Sequence, residues 1–129
     1  MAKARKDVVL DTNVWIAFLH EEDSQHAKAK RLLKDATAPV VVPEYVLLEV
    51  VTVLRHLRRH EEANRFIEQV LDDSGTFLPA NALAYEVAEM LPNVPKHLSC
   101  TDVALLALSR DYEVLTFDSA LARAIKGRA

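Results

Sequence analysis

Val8-Val9-Leu10-Asp11-Thr12-Asn13 decides how the rest of the chain is read. Three consecutive apolar residues form the pattern of a short strand covered on both faces. An acid follows at the carboxyl end, and Thr12 or Asn13 can cap the helix that begins with Val14-Trp15-Ile16 and runs to about Leu19. A strand that delivers a carboxylate to its own exit and turns at once into a helix is the opening of an alternating β/α chain.

The pattern repeats outward from there. An acidic loop, His20 to Asp23, leads to a second helix with Ser24 as its expected N-cap and Ala27, Leu32, Leu33 and Ala36 facing inward. Pro39 to Val42 reads as a strand, with Pro43 in the first turn of the next helix. That helix, Glu44 to about Arg59, is apolar almost all round and so is expected to be largely buried. A helix from Glu61 to about Leu71, a turn at Asp72-Asp73-Ser74-Gly75 and a strand at Thr76 to Leu78 follow. The last third gives a helix over Asn81 to Leu91, a proline-bracketed loop, a helix capped by Ser99 and running to about Asp111, a strand at Glu113 to Thr116, and a terminal helix from Asp118 to Lys126. Short strands alternating with helices predict a parallel sheet with helices on both faces, a three-layer α/β/α domain spanning residues 1–129, with residues 1–6 flexible.

Bulk properties narrow the function classes. The chain of 129 residues is half hydrophobic, enough for one packed core. No apolar run reaches the roughly 18 residues a membrane span needs, and no signal-peptide pattern is present. The one cysteine, Cys100, excludes an intrachain disulfide and a cysteine-rich zinc site, and fits a reducing cytoplasm. The net charge of −3 argues against attraction to nucleic acid by overall charge, while leaving room for a local basic rim. With only Gly75 and Gly127, the chain has no glycine-rich phosphate cradle, so dinucleotide-binding and P-loop readings fail.

Four acids carry the chemistry. Asp11, Asp102 and Asp118 each have an ordinary explanation as helix caps, and Ser99-Cys100-Thr101-Asp102 matches a capping box. Glu49 is harder to assign to structure alone. It stands between Leu47-Leu48 and Val50-Val51, with only Tyr45 and Thr52 as polar neighbours at helical spacing. A carboxylate buried there without a partner costs several kcal/mol or takes up a proton. In sites of α/β folds, ligands gather outside the carboxyl ends of the strands. Asp11 and Asp118 fall there directly, and Glu49 and Asp102 can be brought to the same edge. Clustered carboxylates repel, so such a set calls for protons or a cation, and oxygen-only ligands suit Mg²⁺ or Mn²⁺.

At this point the sequence resembles the PIN domain family, in particular the small toxin ribonucleases of VapBC-type toxin–antitoxin modules. The matching residues are Asp11-Thr12-Asn13 after an apolar strand, Glu49 in Leu48-Glu49-Val50, Asp102 in Leu98-Ser99-Cys100-Thr101-Asp102, and Thr116-Phe117-Asp118 after Val114-Leu115. One departure is Leu121, where many relatives place an aromatic. The resemblance implies a PIN-like fold and Mg²⁺- or Mn²⁺-dependent hydrolysis of RNA. It makes Asp11, Glu49 and Asp102 the core metal ligands and catalytic acids, with Asp118 assisting. Thr12, Asn13, Ser99 and Thr116 match supporting positions. The implied partners are an RNA substrate, a cognate VapB-like antitoxin and a second copy of the chain in a homodimer, with no membrane.

For holding RNA, Arg55, Arg58 and Arg59 form a basic cluster with His56 and His60, and Lys96 precedes the helix of Asp102. A solvated helix end complementing its dipole explains the same cluster. Trp15 and Phe18 read as core or partner surface. A phosphoaspartyl hydrolase also puts an acid after its first strand, but Asn13 stands where it wants a second Asp, and a receiver domain lacks its acidic pair here. The non-enzyme alternative is a PIN-like module that binds RNA or protein without cleaving.

Overall fold

The computed structural model describes residues 6–128. Four strands, β1 (Val8–Leu10), β2 (Val40–Pro43), β3 (Phe77–Leu78) and β4 (Glu113–Leu115), form one sheet in the order β3-β2-β1-β4. Every pairing is parallel, with Val9 opposite Val41 on one side and Val114 on the other. Seven α-helices connect and cover the sheet: α1 (Thr12–Leu19), α2 (His26–Asp35), α3 (Glu44–His56), α4 (His60–Asp72), α5 (Leu83–Met90), α6 (Cys100–Leu108) and α7 (Ser119–Arg128).

The alternation of side chains along β1 divides the core. Val8 and Leu10 face one way and pack with Val14, Ala17 and Ala29 of α1 and α2. Val9 faces the other and joins the larger core of Val46, Val50 and Leu54 from α3, Phe66 from α4 and Val103 to Leu106 from α6. This is the three-layer α/β/α arrangement. Among the described residues, no helix is long and apolar enough to cross a membrane.

The strand order sets the functional edge. From β1 the chain moves to β2 and β3 on one side, then returns to place β4 on the other. The sheet therefore changes direction between β1 and β4, and in open parallel sheets that switch opens a crevice at the carboxyl ends of the strands. Asp11 leaves β1 there, and Thr116 leaves β4.

Several local expectations are corrected. Helix α1 starts at Thr12, and Asp11 itself is the N-cap, its carboxylate accepting the Thr12 N–H. Ser24 does not cap α2. Asp23 closes a turn by accepting the Gln25 N–H, the helix starts at His26, and Ala29 rather than Ala27 is the buried alanine. Pro43 ends β2 and is the N-cap of α3 instead of entering its first turn. Helix α6 stops at Leu108, and α3 stops at His56, where Arg58 turns left-handed. Of the segment expected to be flexible, Met1 to Arg5 lie outside the described residues. Lys6 is tied down, its Nζ donating to the Arg110 carbonyl, and the Asp7 carbonyl accepts the Glu113 N–H beside β4.

Candidate active site

The Asp11 carboxylate is fixed by two neighbours. Its Oδ1 accepts the Thr12 N–H at 2.7 Å, and its Oδ2 accepts the Thr116 hydroxyl at 2.7 Å. The Thr116 oxygen in turn accepts from Asp118 N at 3.0 Å and Asn13 Nδ2 at 3.4 Å. Asn13 Oδ1 completes the loop by accepting the Phe117 N–H. The exits of β1 and β4 are thus stitched into one network by Asn13 and Thr116, the two adjacent-strand residues that the sequence pairs only through motif position.

The other acids reach this edge from separate elements. Glu49, on the second turn of α3, accepts the Thr12 hydroxyl at 3.3 Å. Asp102 sits in the first turn of α6 within a complete capping box: its N–H donates to Ser99 Oγ and its Oδ2 accepts the Ser99 N–H, both at 3.1 Å. Asp118 Oδ1 accepts the N–H groups of Ala120 and Leu121 at the start of α7. So Asp11, Asp102 and Asp118 do cap helices, and the same capping holds each carboxylate at the sheet edge. Leu121, the departure from the family pattern, is fully buried in the core.

Asp11, Thr12, Asn13, Asp102 and Asp118 line one open groove of about 440 Å³. Glu49 stands behind Thr12, one turn before Val53, which lines the groove floor. A fifth acid, Asp23, also lines it and was read from sequence only as part of a loop. Asp23 is brought in by the turn it makes with Gln25, a placement that no spacing in the sequence announces.

The electrostatics mark the cluster as strained. Burial raises the Asp11 carboxyl above the usual aspartate range. The bonds from Thr116 and Thr12 oppose this, and the charges of Asp102 and Asp118 add to it. Burial likewise raises Glu49, opposed by Thr12 and reinforced by Asp11 and Asp102. Tyr45, one turn before Glu49, feels the same field: burial first, then Asp11, Glu49 and Asp102, push its phenol far above its ordinary range. Its hydroxyl stays protonated and points toward the Thr101 carbonyl at 3.5 Å. Sequence reading noted Tyr45 as polar in an apolar helix but did not place it at the site.

The donor set is all oxygen, and its excess charge is what a hard divalent cation relieves. Among the described residues, no three His, Cys, Asp or Glu side chains are close enough as placed to hold one metal ion. The acids line the groove rather than converge on a point.

The basic cluster lies elsewhere. Arg55 and Arg58 are exposed, and Arg59 pairs with Glu62 at 3.5 Å. Arg55 sits six residues beyond Glu49 on α3, roughly 9 Å further along the helix axis, Arg58 and Arg59 follow past the helix end, and neither they nor the exposed Lys96 line the groove. Trp15 packs edge-on against Phe66 and Phe18, as a core residue.

Residues 8–127 match the PIN domain family. The chain belongs to the PIN domain family. Among solved structures it is similar to VapC20 of Mycobacterium tuberculosis, a toxin that cleaves the sarcin–ricin loop, with 25% identity and a TM-score of 0.77, covering 92% of this chain and 95% of that one. No curated protein matches the sequence. Membership of the PIN family gives the parallel sheet a common origin with that of its relatives.

Proposed function

We propose that this PIN domain protein is an endoribonuclease that hydrolyses RNA phosphodiester bonds in the acidic groove, as the toxin of a toxin–antitoxin pair. The observation that carries this reading is the gathering of Asp11, Glu49, Asp102 and Asp118 around the β1–β4 exit, with Asp11 raised by burial and by the charges of Asp102 and Asp118, and Glu49 raised by burial and by those of Asp11 and Asp102. An anionic phosphodiester would be repelled by such a set. These carboxylates would hold Mg²⁺ or Mn²⁺, which would supply the positive charge that offsets the repulsion and would lower the pKa of a bound water. Thr12 orients Glu49, Thr116 and Asn13 orient Asp11, and Ser99 orients Asp102. The capped helix ends keep these side chains in place, so that little reorganisation is needed when RNA enters.

The cognate partner in this reading is a VapB-like antitoxin that occludes the groove, and the chain pairs as a homodimer. The sarcin–ricin loop is the first RNA to offer, because VapC20 cleaves it. The test is cleavage by the purified chain with Mg²⁺ or Mn²⁺, with chelator, and with Asp11→Asn. Cleavage that requires metal and disappears in the variant is expected. Equal cleavage by both proteins rejects the mechanism, and metal-dependent binding of RNA without cleavage favours the silent binding module.

A further inference from the structure

Helix α2 carries a strong charge pattern that the acidic site does not absorb. Lys28, Lys30, Arg31 and Lys34 are all exposed. At about 100° per residue they fall within an arc of roughly 160°, opposite the buried Ala29. Among the described residues, none of the four pairs with a carboxylate: the ion pairs belong to Arg59, Arg65 and Arg110. The only acid within the helix, Asp35, stands at its end. In a chain of net charge −3 this is a concentrated basic face.

Its position gives it meaning. Gln25, immediately before α2, lines the acidic groove, so the helix starts at the groove's mouth. Lys28 Nζ lies 4.9 Å above the centre of the Phe117 ring, beside Asp118. Further along, Phe18, Leu33 and the stems of Lys30, Arg31 and Lys34 line a shallow, largely apolar hollow of about 500 Å³. An apolar wall with an aromatic ring, on a helix whose exposed residues are cationic, suits a nucleotide, whose base needs the first and whose phosphate needs the second. A helix face solvated for its own sake explains the charges but not their run from the groove to this hollow.

We propose that the outer face of α2 is a binding track for the RNA backbone, leading from Lys28 at the groove to the hollow at Lys30, Arg31 and Lys34. It rests on the ribonuclease reading and replaces the end of α3 as the surface that holds the substrate. RNA is favoured over an acidic protein segment because α2 begins directly after Gln25, which lines the groove in which the phosphodiester must lie.

The test uses the full chain carrying Asp11→Asn, which separates binding from cleavage, and a labelled single-stranded RNA titrated over a salt series. Lys30→Gln/Arg31→Gln/Lys34→Gln is expected to weaken binding about tenfold or more and to lower the slope of log affinity against log salt by roughly two, near 0.7 for each lost phosphate contact. In the cleaving chain the same triple variant is expected to raise KM with kcat little changed. An unchanged slope and KM in a chain that still cleaves overturns the α2 assignment alone. So does a slope that falls only in Arg55→Gln/Arg58→Gln/Arg59→Gln, or polyglutamate competing for the face more tightly than RNA of equal charge. A chain with all four acids intact that never cleaves RNA instead sinks the nuclease reading, and binding still reports on α2.

Discussion

The Thr116 hydroxyl donates to Asp11 Oδ2 at 2.7 Å and joins the exits of two neighbouring strands across 105 positions of sequence. It also accepts from Asp118 N and Asn13 Nδ2, so one oxygen organises both ends of the site. This bond holds Asp11 lower than burial alone would leave it. Thr116→Val removes it and pushes the Asp11 carboxyl further up. The acid limb of the cleavage profile is then expected to move to higher pH, with kcat/KM near neutrality falling about tenfold or more for the loss of a charge-assisted bond. Thr116→Ser is expected to restore both. A pH–rate series over the three proteins checks this, and a Val variant with the wild-type profile removes Thr116 from the site.

The raised carboxyls also bear on stability. Asp11 and Glu49 hold protons more tightly in the folded chain than in the unfolded one. Below the ordinary carboxylate range, about pH 4, both states are protonated and this contribution is fully present. As pH rises through the folded values, the unfolded state has already ionised and the contribution is lost. In chelator, Tm is therefore expected to be higher in mild acid than at pH 7–8, and Asp11→Asn is expected to raise Tm at neutral pH and flatten the dependence. Asp73, lowered by its bonds to Thr76 and Gly75, works the opposite way but only below the ordinary aspartate range. Mn²⁺ at neutral pH is expected to raise Tm in the wild type by several degrees, about 2.7 kcal/mol of stabilisation at a hundred times the dissociation constant. The shift is expected to shrink in Asp11→Asn. Thermal melts with and without metal decide it.

The fold was readable because its strands are short, apolar and separated by helices, which leaves little choice but a parallel sheet. The edge where Asp11 and Asp118 lie was readable too, since each is expected just past a strand, whereas Thr116, expected as the last residue of β4, lies one residue beyond it. Helix boundaries were less so. Ser24 looks like a cap, but the Asp23 turn moves the N-cap one residue on, to Gln25. The neighbours of the acids were least legible. Tyr45 enters the site because α3 packs against the sheet with Glu49 and Tyr45 on one side, and Asp23 enters through a turn. The basic face of α2 was hidden by its spacing, since Lys28, Lys30, Arg31 and Lys34 look scattered until they are wound on a helix, whereas Arg55 to His60 look dense in sequence and lie away from the groove.

Asp102 separates capping from chemistry. Its Oδ2 accepts the Ser99 N–H, and an asparagine oxygen can do the same. Asp102→Asn is expected to keep stability within about 0.5 kcal/mol, the usual range for a substitution that preserves its partners, while cleavage is lost. Ser99→Ala removes the oxygen that accepts from Asp102 N. It is expected to cost about 1 kcal/mol, as lost N-caps do, with cleavage reduced but present. Melting curves and cleavage rates on the two variants check this, and an Asn variant that cleaves like the wild type makes Asp102 a cap and nothing more.

Arg58 tests the end of α3. It has φ 61, a left-handed backbone that favours glycine. Its N–H donates to the Arg55 carbonyl, and the Arg59 N–H reaches back to Leu54, the paired bonds that close a helix at a left-handed residue. The chain needs this conformation to turn from α3 into α4, and a side chain there costs about 1 kcal/mol relative to glycine. Arg58→Gly is therefore expected to raise stability by roughly 0.5–1 kcal/mol, because the relief of strain exceeds glycine's extra freedom in the unfolded chain. Denaturant unfolding measures it. Cleavage of RNA is expected to be unchanged, since Arg58 lies off the α2 track. A stabilised variant with weakened RNA binding would return the end of α3 to the substrate surface, while a destabilised one would show that the arginine side chain itself holds the turn.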